Sequence, residues 1–285
     1  MFISYPHNYD NVFKFSMAVT PLHAKFEAVA KGSPAEFALL LSELGYNGIE
    51  YSVLEPETII ELVRIASDYG LRVPAIGTGL NYIHYGLDLT SPDEGVRART
   101  LNRLQSFVEY TGRSEAGGVI IGLIRGRGDS YSSPETALNL LAAQLSTLCR
   151  QAVDADVRLF LEPLNRYESK IINTVGEALN FLRRVDCPNL YLLLDTFHMN
   201  IEEPVIEDSI RVAGDKIGHF HVADSNRYAP GMGHLDFSSI LKALKDTGYS
   251  GYVSAEIIVK PDFESAARLT LNTLRIASGC EEENR

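Results

Sequence analysis

The chain has 285 residues, of which 45% are hydrophobic and 22% charged, a composition typical of a globular domain with one large core. Its 37 acidic and 26 basic residues give a formal net charge of −11, which argues against binding to nucleic acids or to anionic membranes. Three widely spaced cysteines without a CxxC pattern, Cys149, Cys187 and Cys280, favour reduced thiols in a cytoplasmic protein, and no segment predicts a signal peptide or a membrane span.

Eight short apolar segments predict strands that are buried on both faces, as in a parallel sheet covered by helices. They lie at 12–19, 47–52, 71–79, 117–124, 157–163, 190–195, 217–224 and 252–257. An open doubly wound sheet would place a glycine-rich turn directly after its first strand, but "TPLHAKFEA" follows here.

Amphipathic segments between these strands predict helices. Three begin with a Ser-Pro pair, at Ser33, Ser91 and Ser133, and the first ends at Gly45. Others are predicted at 56–69, 174–186, 205–214, 237–247 and 262–277. Eight strand-helix units predict an α/β fold, a (β/α)8 TIM barrel that forms one domain over residues 1–285, with an N-terminal extension at about 1–11 and an acidic tail at about 280–285.

Chemistry in such a barrel lies at the C-terminal ends of the strands. The last four predicted strands carry Glu162, Asp195, His221 and Glu256 at or near these ends, each about one strand-helix repeat after the previous one. Three carboxylates that meet in a partly desolvated site would repel one another unless a cation binds between them. This oxygen-rich set suits Mn²⁺, Mg²⁺ or Co²⁺ better than zinc.

Each of these residues also has an ordinary structural explanation. Asp195 could cap the next helix, and Glu162 could be a loop carboxylate. His221 could be a hydrogen-bonded core histidine, which is also how we interpret His219 on the same strand face. A lone ionised Glu256 in a buried strand would be costly, and the four residues together favour a site. Further polar residues follow the same strands: Glu168, His198 and Arg227.

The stretches "FLEPLNRYES", "LLLDTFHMNIEE", "GHFHVADSNRYAPGMGHLDF" and "YVSAEI" closely resemble the sugar isomerase/epimerase family of metal-dependent, xylose isomerase-like TIM barrels, which includes the ketose 3-epimerases. The resemblance implies one divalent ion, most simply Mn²⁺, with Co²⁺ or Mg²⁺ as alternatives, and a homodimer or homotetramer. It implies the following site residues: Glu162, Asp195, His221 and Glu256 as metal ligands, Glu162 and Glu256 also as the acid/base pair, and Glu168, His198 and Arg227 as substrate-binding residues.

The chemistry that the resemblance implies is inversion of the carbon next to a ketone through a cis-enediolate, with one glutamate removing the proton and the other returning it. The stretches "AIGTGLNYIHYGLDLTSPDE" and "VIIGLIRGRGDSY" look most like the branch that converts 5-keto-L-gluconate to D-tagaturonate. Arg125 and Arg127 could bind the carboxylate of such a sugar acid, or could pair with acids at the rim.

Other substrates and classes of protein stay open at this point. A neutral ketohexose such as D-tagatose or D-psicose and a ketose phosphate are alternative substrates. A non-catalytic sugar-binding protein would not need Glu256 beside Glu162. A zinc-dependent DNA-repair nuclease on the same barrel fits neither the acidic charge nor the seven histidines.

Overall fold

Eight parallel strands close into a barrel in the computed structural model, which describes residues 13–20 and 24–279. The predicted N-terminal extension, Cys280 and the acidic tail lie outside the described residues. The barrel strands are β1 (Lys14–Thr20), β3 (Glu50–Ser52), β4 (Ile76–Gly77), β5 (Gly118–Ile121), β6 (Arg158–Leu161), β7 (Leu190–Asp195), β8 (Ile217–Val222) and β9 (Tyr252–Ala255). Each pairs with the next, and β1 pairs with β9 to close the ring.

The predicted TIM barrel is therefore confirmed, with all eight predicted strands present in order. A two-residue strand that was not predicted, β2 (Ala30–Lys31), pairs with β1 beside the barrel. Most barrel strands are shorter than predicted, because apolar residues that flank the paired segment also pack into the core. Leu71 and Val73, for example, are buried but precede β4.

The helices that surround the barrel occur where the sequence predicts them, with two additions. They are α1 (Pro34–Leu44), α2 (Ile59–Asp68), α3 (Gly79–Tyr85), α4 (Glu94–Gly112), α5 (Pro134–Asp154), α6 (Val175–Val185), α7 (Thr196–Glu202), α8 (Ile206–Ala213), α9 (Phe237–Asp246) and α10 (Phe263–Ala277). The short α3 and α7 were not predicted. In the described part of the chain, no helix combines the length and the apolar character that a bilayer crossing requires.

Helix starts follow the predicted capping chemistry in two of the three Ser-Pro segments. The side chains of Ser33 and Ser133 accept a hydrogen bond from the backbone of the first turn of α1 and α5. The expected cap at Ser91 is wrong, because α4 starts two residues later. There the Asp93 carboxylate accepts from the N–H of Gly95 at 2.7 Å and supplies the cap instead.

The core has a layer between barrel and helices and a smaller cluster inside the barrel. The inner cluster is Ala75, Ile120, Phe160 and Leu193. The rest of the barrel interior includes buried polar side chains, among them Glu50 and His219. His219 stacks against Phe160 with ring centroids 5.5 Å apart. Buried polar groups need hydrogen-bond partners. Glu50 and His219 therefore mark a part of the barrel interior that is not a purely apolar core.

The expectation of reduced thiols is wrong for two of the three cysteines. Cys149 in α5 and Cys187, just after α6, form a disulfide, with their Cα atoms 6.0 Å apart. Their separation by 38 positions in the sequence gives no hint of this contact, which arises because α5 and α6 pack side by side.

Candidate active site

Four side chains from consecutive barrel strands meet at the C-terminal end of the barrel. Asp195 is the last residue of β7, and His221 lies one residue before the end of β8. Glu162 and Glu256 directly follow β6 and β9. One possible ligand atom from each of the four lies within 4.8 Å of those of the other three, so the structure brings together the residues that the sequence selected.

The hydrogen bonding around this cluster fits a bound cation. Asp195 Oδ1 accepts from the N–H of Phe197 and caps α7, but its buried Oδ2 has no hydrogen-bond partner. The buried Nδ1 of His221 also lacks a partner and lies 3.9 Å from Asp195 Oδ2. Buried polar atoms are rarely left unpaired, and these two atoms face the other carboxylates. The donor set therefore suits a divalent ion with oxygen and imidazole ligands.

The electrostatics of the cluster also favour a bound cation. Burial, together with the Glu256 carboxylate, raises the pKa of Glu162 well above its usual range. Burial also raises the pKa of Glu256, although Arg227 opposes that shift. Carboxylates that resist ionisation when alone become favourable anions once a cation lies between them.

His221 is held by a residue that the sequence analysis missed. Glu50 at the start of β3 is 1% exposed, and its carboxylate lies 3.0 Å from His221 Nε2 and 2.7 Å from His219 Nε2. Burial opposes ionisation of Glu50, but the two histidines hold its pKa below the usual range. The signal was present in "NGIEYS", where a single acid in a buried strand is as costly as Glu256 in "SAEI". The interpretation of His219 as a hydrogen-bonded core histidine is confirmed.

Arg227 links two of the acids at the mouth of the barrel. Its Nη1 donates to Glu168 Oε1 and its Nη2 to Glu256 Oε2, both at 3.0 Å. The guanidinium also lies over the ring of Phe197, 4.8 Å from the centroid. Its buried Nε has no partner, so the side chain keeps one N–H donor for another group. Arg227 itself has a φ of 64°, a backbone conformation that is uncommon outside glycine and asparagine.

His198 lies within α7, a helix that the sequence analysis did not predict. The helix starts directly at the strand end because Asp195 caps it. His198 is 2% exposed, with Nδ1 2.8 Å from the side-chain nitrogen of Asn165 and Nε2 3.7 Å from Glu162 Oε1. Burial lowers its pKa, which favours a neutral imidazole that can both donate and accept.

A pocket at this end of the barrel includes most of the predicted site residues. Glu162, Glu168, His198, Arg227 and Glu256 line it together with the apolar side chains of Phe26, Leu80, Ile83, Leu123 and Leu164. A larger cavity of about 600 Å³ opens at the opposite, N-terminal end, between basic residues such as Lys14 and Arg158. It contains none of the predicted site residues, and barrel chemistry belongs to the C-terminal end.

The two arginines considered for a substrate carboxylate occupy different environments. Arg125 is fully buried and donates to the backbone carbonyls of Glu162, Ile171 and Ile172, so it cannot reach a ligand. Both predicted roles of Arg125, binding a substrate carboxylate and pairing with an acid at the rim, are therefore wrong. The position of Arg125 between Ile124 and Gly126 gave no sign of this burial. Arg127 is partly exposed and donates to Asp129 at 3.0 Å, the pairing with a rim acid that the sequence left open.

Comparison with known proteins agrees with this geometry. Residues 38–276 match the xylose isomerase-like TIM barrel family. The chain is 37% identical over 217 residues to the L-ribulose 3-epimerase of Methylomonas sp. (strain DH-1), covering 74% of each chain. It is 36% identical over 218 residues to the L-ribulose 3-epimerase of Mesorhizobium japonicum, covering 75% of this chain and 72% of that one.

A solved structure of D-psicose 3-epimerase, determined in the presence of D-fructose, superimposes with a TM-score of 0.77 at 26% identity. The match covers 92% of this chain and 99% of the other. The chain therefore belongs to the xylose isomerase-like TIM barrel family, and within it to the sugar epimerases, which are isomerases.

Proposed function

We propose that this protein is a ketose 3-epimerase, an enzyme that inverts the carbon next to the ketone of a ketose. The observation that carries the proposal is the convergence of two glutamates, Glu162 and Glu256, on one cluster with Asp195 and His221. A sugar-binding protein would have no use for two buried acids at this point, since each resists ionisation there. The relatives named above act as 3-epimerases on L-ribulose and D-psicose, which supports the same reaction type.

The cofactor in this proposal is one divalent ion, with Glu162, Asp195, His221 and Glu256 as its ligands. The oxygen-rich donor set favours Mn²⁺, and Co²⁺ or Mg²⁺ would suit it as well. A cation held there would polarise the ketone of a bound sugar and make the proton on the neighbouring carbon more acidic.

Glu162 and Glu256 are the proposed acid/base pair. Because they follow β6 and β9, on different sides of the barrel mouth, a ketose bound between them would have one carboxylate near each face of C3. One glutamate then removes the C3 proton, and the other returns a proton to the opposite face and so inverts the carbon. Either glutamate can start the reaction, so both directions use the same pair.

Three further residues are proposed to hold the sugar. The free Nε–H of Arg227 can donate to a substrate oxygen while its two other nitrogens stay on Glu168 and Glu256. Glu168, with 25% of its side chain exposed, can accept from a sugar hydroxyl. His198 is neutral when buried, and its Nδ1 accepts from Asn165, so its Nε2–H can donate to the sugar beside Glu162.

The substrate class that the pocket favours is a neutral ketose. The cationic side chain that lines the pocket, Arg227, already contacts two carboxylates, and Arg125 is buried elsewhere. A sugar acid or a phosphate would therefore find a single free N–H of Arg227 and no unpaired guanidinium among the described pocket residues. D-psicose, D-tagatose and L-ribulose are thus preferred over 5-keto-L-gluconate, which the sequence had favoured, and over a ketose phosphate.

The test is turnover of these sugars in deuterated water with Mn²⁺ present, followed by NMR of the products. We expect a C3 epimer that carries deuterium at C3, loss of turnover in EDTA, and its recovery when Mn²⁺ or Co²⁺ is added back. Glu256→Gln should bind the metal and lose most turnover, whereas Glu57→Gln, at an exposed position, should behave like the wild type. Epimerisation without deuterium at C3 would contradict the mechanism, and turnover of 5-keto-L-gluconate alone would contradict the substrate class.

The assembly and location of the protein stay predictions. A homodimer or homotetramer follows from the resemblance to the family, and a cytoplasmic location was expected from the spacing of the cysteines. The disulfide between Cys149 and Cys187 removes part of the basis for that location. Analytical ultracentrifugation of the purified protein tests the assembly.

A further inference from the structure

A buried network connects the candidate metal ligand His221 to two residues with no role in the proposed reaction. Glu50 lies between His221 and His219, with its carboxylate oxygens 2.7 to 3.1 Å from the Nε2 atoms of both rings. All three side chains are at most 2% exposed. They sit on β3 and β8, inside the barrel, where a rigid backbone fixes their positions.

The network leaves the two nitrogens of His221 in different environments. Nε2 lies against Glu50, whereas Nδ1 faces Asp195 Oδ2 at 3.9 Å and has no hydrogen-bond partner. An ionised carboxylate only accepts hydrogen bonds, so Glu50 favours the ring form in which Nε2 carries the proton. In that form Nδ1 has a free lone pair that points into the cluster.

We propose that Glu50 is a positioning residue that fixes the orientation and tautomer of His221, so that Nδ1 is the atom presented to the cation. This inference rests on the metal site of the proposed function. A carboxylate behind a metal-binding histidine is a general way to increase the affinity of the ligand, and its loss costs roughly 10- to 100-fold in metal affinity.

His219 holds the Glu50 carboxylate in place. Its Nε2 donates to Glu50 Oε2 at 2.7 Å, the oxygen that also lies 3.1 Å from His221 Nε2, and its ring is stacked on Phe160. Glu50 therefore has a second, fixed donor, which keeps its carboxylate from turning away from His221. The role of Glu50 is thus to accept a hydrogen bond, and its negative charge is a secondary feature.

The test measures Co²⁺ binding by the purified protein, from the visible absorption of the bound ion and by calorimetry. Glu50→Leu removes the acceptor and should weaken Co²⁺ binding by roughly 10- to 100-fold and alter the absorption spectrum. Glu50→Gln keeps an amide oxygen that can accept from His221, so it should restore most of the affinity. Ser16→Ala, at another buried polar residue inside the barrel, is the control and should bind like the wild type.

Wild-type affinity in Glu50→Leu would overturn the inference, and so would equal losses in the Leu and Gln variants, because the charge alone would then explain the effect. A wild-type protein that binds no Co²⁺ would instead overturn the metal site itself.

A second measurement needs no variant. NMR of the Zn²⁺-loaded wild type, labelled with ¹⁵N-histidine, should show His221 bound through Nδ1 with a proton on Nε2, and coordination through Nε2 would contradict the inference.

Discussion

The Nε–H of Arg125 donates to the backbone carbonyl of Glu162 over 3.1 Å, so a fully buried arginine holds the backbone of a proposed metal ligand. Its other two nitrogens donate to the carbonyls of Ile171 and Ile172. These contacts fasten both ends of the loop that carries Glu168. Ile172 has a φ of 53°, which is unfavourable for a β-branched side chain and requires support from its surroundings.

We expect Arg125→Lys to lower both stability and turnover. A lysine ammonium keeps the charge, but its three donors radiate from one atom and cannot span carbonyls on both ends of the loop. A buried carbonyl left without a donor costs about 1–3 kcal/mol, so the free energy of unfolding should fall by about 2 kcal/mol. Urea unfolding measures this change, and the KM for the sugar should rise because Glu168 loses its support.

Arg127→Lys is the matched control, since Arg127 lies two residues away but is partly exposed and pairs with Asp129. A surface pair of this kind contributes about 0–1 kcal/mol, so stability and KM should stay close to wild type. If the two variants behaved alike, the support that we assign to Arg125 would be absent.

Gly122, after β5, touches the carboxylate of Glu162. A Cβ atom at this position would clash with Glu162 Oε2, whereas a Cβ at Gly79 in the same pocket would meet its nearest atom, in Leu123, at an ordinary 3.8 Å. We therefore expect Gly122→Ala to displace the carboxylate and weaken Mn²⁺ binding by about tenfold or more, while Gly79→Ala keeps wild-type affinity. Calorimetric titration with Mn²⁺ compares the two, and unfolding in EDTA checks that both variants are folded. Unchanged affinity in Gly122→Ala would argue against Glu162 as a ligand.

Metal affinity should rise with pH. Burial opposes protonation of His221, but Glu50 raises its pKa to about 10 in the metal-free protein. At neutral pH His221 therefore carries a proton on Nδ1 as well as on Nε2 until a cation binds, and a cation that binds to Nδ1 must displace the proton there. Glu162 should contribute to the rise of metal affinity with pH in the same way, because its pKa is also raised.

The measurement is calorimetry at pH 7.5 in buffers with different ionisation enthalpies. We expect at least one proton to be released per Mn²⁺ bound, with the contribution of His221 declining as the pH approaches 10. A binding enthalpy that does not depend on the buffer would show that no proton leaves, contrary to the assignment of His221 and Glu162 as ligands.

Sequence reasoning found the barrel because apolar strands and capped amphipathic helices alternate with a regular period. It also selected Glu162, Asp195, His221 and Glu256, which the structure brings together because each comes at a strand end. It missed Glu50, whose partners are two histidines more than 160 residues away in the sequence. Contacts between residues so distant in sequence form when the barrel closes, and the local spacing of residues does not predict them.

The predictions for Arg125 and for the cysteines were wrong for a related reason. The segment "IRGRGD" has the composition of an exposed loop, yet the first arginine turns inward and the second outward. Nothing in the residue types distinguishes them, because burial here depends on the loop that follows β6 and covers Arg125. The cysteines likewise depend on how two neighbouring helices pack.

The disulfide between Cys149 and Cys187 should contribute to stability without affecting the metal site. It closes a loop between residues 38 positions apart, which corresponds to about 4 kcal/mol of lost entropy in the unfolded chain. We expect dithiothreitol to lower the free energy of unfolding by up to that amount, and Cys149→Ala/Cys187→Ala to be insensitive to the reductant. Mn²⁺ affinity should be unchanged in both cases, because α5 and the turn after α6 belong to the outer layer of helices.

Thiol titration of the unfolded, unreduced protein should give one free thiol, that of Cys280. Three free thiols would contradict the pairing and restore the expectation of reduced cysteines.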